Sequence, residues 1–178
     1  MSEPSSPTGG ARCGSATVVV DDVQDEVSVD AVRWASLAAA ALDAEGAEGE
    51  LTLTFVDRAE ITSLKVEHFG DPGDHPTDVL SFPLDSPGLA TNDMPVLLGD
   101  VVVCPSVALE QCEAHAGTLD DELALLVVHG VLHVLGHDHA EPAEAAVMRD
   151  RELALLESLH WFGAAPAGFA VDHREEVR

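Results

Sequence analysis

His129 and His133 stand four residues apart in the segment LLVVHGVLHVLG. On a helix that spacing puts two imidazoles on one face, one turn apart, near enough to share an ion. Gly136 follows three residues later and can end the helix in a left-handed conformation, which turns the chain back and brings His139 to the pair. Three neutral imidazoles match the borderline-soft preference of zinc and leave the fourth tetrahedral position to water, as a catalytic site requires. Such a water supplies hydroxide near neutral pH, and the ion polarises a phosphoryl or carbonyl oxygen, so the expected chemistry is hydrolysis around a single zinc ion. A lone histidine on an apolar helix is usually a satisfied core residue; the third histidine is what turns this pair into a ligand set. Asp138, between His137 and His139, is the candidate for orienting a ligand ring by accepting its second N–H, with an exposed loop acid as the alternative. His137 is expected at the surface or the rim, because a fourth histidine would close the site.

The spacing of His129, His133, Gly136 and His139 is also that of the metzincin proteases, whose first histidine is followed by the glutamate that acts as general base. Here that position is Gly130, so a metallopeptidase would keep the cage and lack its base. Glu122 and Glu152 are expected on helix surfaces, and no residue is assigned as general base or other catalytic side chain.

Several elements must carry this constellation. Residues 16–21 (ATVVVD) are short and β-branched and read as a buried strand, and from Ser28, a possible cap, helical spacing runs to about Gly46. Residues 51–56 (LTLTFV) alternate like a strand, and Asp57 can cap a helix reaching about His68 with Ile61, Leu64 and Phe69 inward. Residues 70–76 (GDPGDHP) break it. Residues 77–82 and 96–104 read as neighbouring antiparallel strands joined by a Pro/Gly/Asn-rich loop. Pro105 opens a helix that ends at Gly117, Thr118 or Asp120 opens the histidine helix to about Leu135, and a last helix spans residues 144–159. The expected class is α+β, a small mixed four-stranded sheet packed with about five helices. One domain is expected over residues 16–162, between a disordered tail at 1–15 and a C-terminal tail at 163–178.

With 46% hydrophobic and 23% charged residues, the middle of the chain has the composition of a folded domain. Its net charge of -25, from 33 acids against 8 Lys plus Arg, argues against nonspecific adhesion to nucleic acid and reads as a solvated acidic surface. Three cysteines without a C-x-x-C pair suggest neither a disulfide framework nor a thiolate zinc knuckle, and fit a reducing cytoplasm. The Ser/Pro/Gly-rich start lacks the apolar stretch of a signal peptide, and no run reaches the length of a membrane span, so no membrane role is expected.

HGVLHVLGHDH at 129–139, PTDVLSFP at 76–83 and LGD at 98–100 together resemble the bacterial YbeY endoribonuclease family, and the likeness extends over about residues 18–159, through the acidic helix with Met148 and Glu152. The resemblance implies the compact α+β YbeY fold, with a zinc helix distantly like that of metzincins, and the three matched histidines as zinc ligands. It implies cleavage of single-stranded RNA in maturation of the 3′ end of 16S rRNA and in ribosome quality control. The partners it implies are single-stranded rRNA and the small ribosomal subunit, with ribosomal proteins and an assembly GTPase. Asp100 and Ser81 fall on matching strand segments, where they line the cleft or serve the sheet. The family often carries an arginine shortly before the Pro-Thr segment; EHFGDPGDHPTDV has none, and His68, Lys65 or Arg58 are the substitutes within reach in sequence. Attack by zinc-bound water would leave a 3′-OH, and attack by a substrate 2′-OH a cyclic phosphate. The competing readings are the metallopeptidase and a non-catalytic, metal-stabilised ribosome-assembly factor, which the acidic surface suits through basic protein tails.

Overall fold

The computed structural model describes residues 9–70, 75–84 and 96–170. Five strands form one mixed sheet: β1 (Gly9–Cys13), β2 (Ala16–Asp22), β3 (Gly49–Phe55), β4 (Val79–Pro83) and β5 (Leu97–Val103). Five α-helices accompany them: α1 (Ala31–Ala44), α2 (Arg58–Phe69), α3 (Pro105–Gln111), α4 (Leu119–Val134) and α5 (Pro142–Leu159). The sheet order is β1-β2-β3-β5-β4, with β2, β3 and β5 parallel and the two edge strands antiparallel to their neighbours.

Alternation in β2 and β3 sends Val18, Val20, Leu51, Leu53 and Phe55 to one face, where α1 and α4 cover them. The parallel β2 and β3 need a crossover, and α1 supplies it. Asp30, two residues after the expected Ser28, caps α1 by accepting from the Arg33 amide at 3.1 Å. Asp57 caps α2 as expected, accepting from the Glu60 amide at 2.8 Å. The other sheet face carries a smaller cluster of Val56, Ile61, Leu80, Val102 and Cys104 under α2. Phe69, expected inward, is 48% exposed: as the last residue of α2 it stacks by one ring face on Phe82 of β4 at 5.8 Å between centroids, while Lys65 takes a buried position on the same helix.

The sheet has five strands where four were expected. The extra one, β1, lies in the stretch expected to be a disordered tail. GGARC lacks apolar alternation, and its order comes from pairing with β2 from Gly9 opposite Val20 to Cys13 opposite Ala16. The C-terminal stretch likewise packs beyond residue 162: Phe169 meets Trp161 edge-on at 4.7 Å and the Ala170 amide donates to the His115 carbonyl at 3.3 Å. Residues 171–178 of the expected tail, 1–8 of the N-terminal one and most of the loop between β4 and β5 lie outside the described residues. Among the described residues no helix is long and apolar enough to cross a membrane.

Candidate metal centre

α4 opens on Thr118, whose hydroxyl accepts from the Asp121 amide at 3.1 Å, and runs apolar nearly all round, so it is buried. It packs face-on against β5 at Gly130. A Cβ there would lie 2.5 Å from Val101 Cγ1, and the Gly130 carbonyl meets the Ser81 hydroxyl at 3.5 Å. The close approach of helix to sheet therefore uses the very position that carries the metzincin glutamate, and a side chain is excluded from it. His129 and His133 project together from the flank of the helix, their ring centroids 4.5 Å apart.

The helix ends as the sequence predicts. The Gly136 amide donates to the His133 carbonyl and the His137 amide to the Leu132 carbonyl, both at 3.0 Å, with Gly136 at φ 97°. This paired closure with a left-handed glycine reverses the chain and delivers His139 to the pair. Its ring lies 4.8 Å from that of His133 and 5.7 Å from that of His129. One ring nitrogen from each of the three histidines falls within 4.8 Å of the others, close enough for small rotations of the rings to bring all three to one ion. Donor chemistry and spacing both fit a three-histidine zinc site.

Asp138 bonds to backbone and not to a histidine ring. Its carboxylate accepts from the backbone amides of His139 at 2.7 Å and Ala140 at 3.2 Å, bonds that lower its pKa and fix the loop bearing His139. The carboxylate on one of the three clustered rings is Glu152 of α5, whose Oε1 lies 2.5 Å from His129 Nδ1. Both side chains are buried. The expectation of an exposed Glu152 is thus corrected: Met148, Glu152, Leu155 and Leu156 share the stripe that α5 presses on the core, so the acid goes inside with them. Met148 and Glu152 at i, i+4 in phase with the leucines were the legible signal. Glu122 is corrected likewise. It is fully buried, accepting from Gln111 Nε2 at 3.0 Å and the Ala116 amide at 3.2 Å, and burial raises its pKa against the lowering effect of those bonds. His137 stays outside the ligand set, partly exposed and 3.8 Å from Glu45 Oε2.

The remaining site candidates separate. Ser81, Asp100 and His68 line a cleft of about 690 Å³ beside α2 and β4, whose walls include Phe69, Phe82 and Leu64 but none of the three histidines. His68 packs on Phe82 at 4.8 Å between ring centroids. Arg58 is committed elsewhere, donating to the Ser106 hydroxyl and carbonyl at 3.1 Å each and pairing with Glu110. Lys65 is buried and approaches the His75 carbonyl at 3.4 Å. Of the three substitutes for the family's arginine, His68 is the one on the cleft wall.

The sequence profile described as Endoribonuclease YbeY matches residues 19–160, most of the chain and all three histidines. The chain belongs to the Endoribonuclease YbeY family. Among curated YbeY proteins, that of Beutenbergia cavernae is 42% identical over 138 residues, covering 75% of this chain and 91% of that one. The YbeY of Thermobifida fusca is 43% identical over 144 residues, covering 76% and 90%. The YbeY of Leifsonia xyli is 52% identical over 104 residues, covering 57% and 67%. The solution structure of TM1509 from Thermotoga maritima superposes with a TM-score of 0.56 over 90% of this chain and 99% of its own, at 23% identity, a likeness of fold. The YbeY fold here is thus a mixed sheet with the histidine helix on one face and α2 on the other.

Proposed function

We propose that this chain is a zinc-dependent endoribonuclease that cuts single-stranded RNA, acting on the 3′ end of 16S rRNA during small-subunit maturation and in ribosome quality control. Family membership supports the ribonuclease activity, and the observation that carries the metal requirement is the convergence of His129, His133 and His139 within 4.8 Å. Bound zinc supplies a Lewis acid for the scissile phosphoryl group and a nucleophile available near neutral pH. The chain's own residues prepare the place for it. α4 holds His129 and His133 one turn apart, the left-handed turn at Gly136 presents His139, and Asp138 pins the backbone of that turn.

A three-ligand set leaves room for substrate, which a closed structural site would not. The proposed partners are the small ribosomal subunit, its basic proteins and an assembly GTPase, all met in the cytoplasm. A net charge of -25 favours an encounter through such basic proteins over one with bare RNA. The same charge supports the second reading, an assembly factor that binds immature subunits without cutting. The peptidase reading loses support, since Val101 occupies the space where the base would start.

The deciding experiment incubates labelled single-stranded RNA with zinc-loaded protein, with chelator-treated protein and with His133→Ala purified identically. Cleavage confined to the first sample is the expected result. Intact RNA in all samples, at a zinc content of about one ion per chain, would replace the nuclease by the assembly factor.

A further inference from the structure

We infer that Glu152 is the positioning residue of the metal centre: by accepting the Nδ1–H of His129 it fixes the tautomer and ring angle that present Nε2 to the ion. The inference rests on the zinc reading above. Its geometry is direct, with Glu152 Oε1 2.5 Å from His129 Nδ1. The two side chains are 2% and 4% exposed, so water competes little for either group.

Burying a carboxylate among Met148, Leu155 and Leu156 is unfavourable unless it gains a strong partner. A neutral imidazole is a modest one. An imidazole that donates from one nitrogen while its other nitrogen holds a divalent cation is a much better one, because the donor proton becomes more acidic and the ion's charge lies one ring away. Three neutral histidines bring no negative charge to balance the ion, and Glu152 brings one without taking a coordination position. The contact also ties α5 to α4 at the ligand itself, so that the last helix of the domain is part of the metal centre although it contributes no ligand. Asp138 serves the same centre differently, through the backbone of His139.

The test measures zinc affinity by competition with a chromophoric chelator for wild type, Glu152→Gln and Glu152→Ala, with the visible spectrum of each cobalt-loaded protein and the melting curve of each metal-free protein. Gln keeps the volume and an acceptor oxygen but loses the charge and can turn its amide to the ring. The expected losses in affinity are about 10-fold for Gln and about 100-fold for Ala, with a cobalt spectrum displaced from that of wild type in Glu152→Gln. A residue that only docks α5 would instead lower the metal-free melting temperature and leave affinity and spectrum unchanged. Binding within about threefold of wild type in Glu152→Gln, short of the usual outer-sphere effect, overturns the inference, and that variant decides if Glu152→Ala fails to fold. Failure of the wild type itself to bind zinc would remove the metal reading, and this inference with it.

Discussion

α4 carries His129 and His133 and the turn at Gly136 carries His139, so removing one imidazole leaves in place the backbone that holds the other two. His133→Ala should therefore drop zinc content from about one ion per chain to a small fraction of that, by elemental analysis after dialysis, while the metal-free protein keeps its helical circular dichroism. Asp121 offers a test away from the metal. Burial alone would raise its pKa, but bonds from Trp161 Nε1 at 2.7 Å, His160 Nε2 at 2.8 Å and the Thr118 hydroxyl at 2.9 Å prevail and lower it. A carboxyl lowered on folding contributes stability above its unfolded value, and that contribution vanishes as pH falls through the folded one. Asp121→Asn should cost about 1–3 kcal/mol at neutral pH, and urea midpoints of variant and wild type should converge as pH is taken below about 4. Glu122 acts with the opposite sign: its raised pKa makes its contribution greatest in acid and smaller as pH climbs from the unfolded value to the folded one. The histidines were legible because their spacing and the glycine are local facts. Glu122 was not, because an acid on a helix is normally solvated and only the packing partner reveals otherwise, while for Glu152 the one signal was its helical phase with Met148 and the leucines.

At the scale of elements, the contact between α4 and β5 makes a sharp prediction. Replacing a helical glycine by alanine normally stabilises by about 1 kcal/mol. At Gly130 the new Cβ would meet the branched, buried Val101 at 2.5 Å, and overpacking costs about 1–3 kcal/mol. Gly130→Ala should therefore lower the melting temperature, and Gly130→Glu should lower it further without producing digestion of casein. Boundaries marked by capping chemistry were readable in advance, as Asp57, Pro105 and Thr118 show. The direction of Phe69 was not, since helical periodicity says which residues share a face and not where the covering surface stops.

Across the whole molecule the dominant quantity is the net charge of -25. Like charges repel in the compact state, and salt weakens that repulsion. Raising ionic strength from about 0.01 M to about 0.15 M shortens the screening length from about 30 Å to about 8 Å. The melting temperature should rise over that interval, read by calorimetry; a fall would mean that specific ion pairs outweigh the general repulsion. The α+β class and the order of nine elements were legible from alternation and helical period. The first strand was not, because its order is supplied by β2 rather than by its own residues.

That strand also decides how the molecule behaves towards its own copies. With β1 present, β2 has hydrogen-bonding neighbours on both sides, β1 and β3. A chain trimmed to begin at Ala16 would leave β2 as an open border of valines with unmatched amides and carbonyls, a template on which another chain can add. Five glycine-rich residues thus cover that border of valines with a less apolar edge, and light scattering should show the trimmed protein self-associating more than the longer chain.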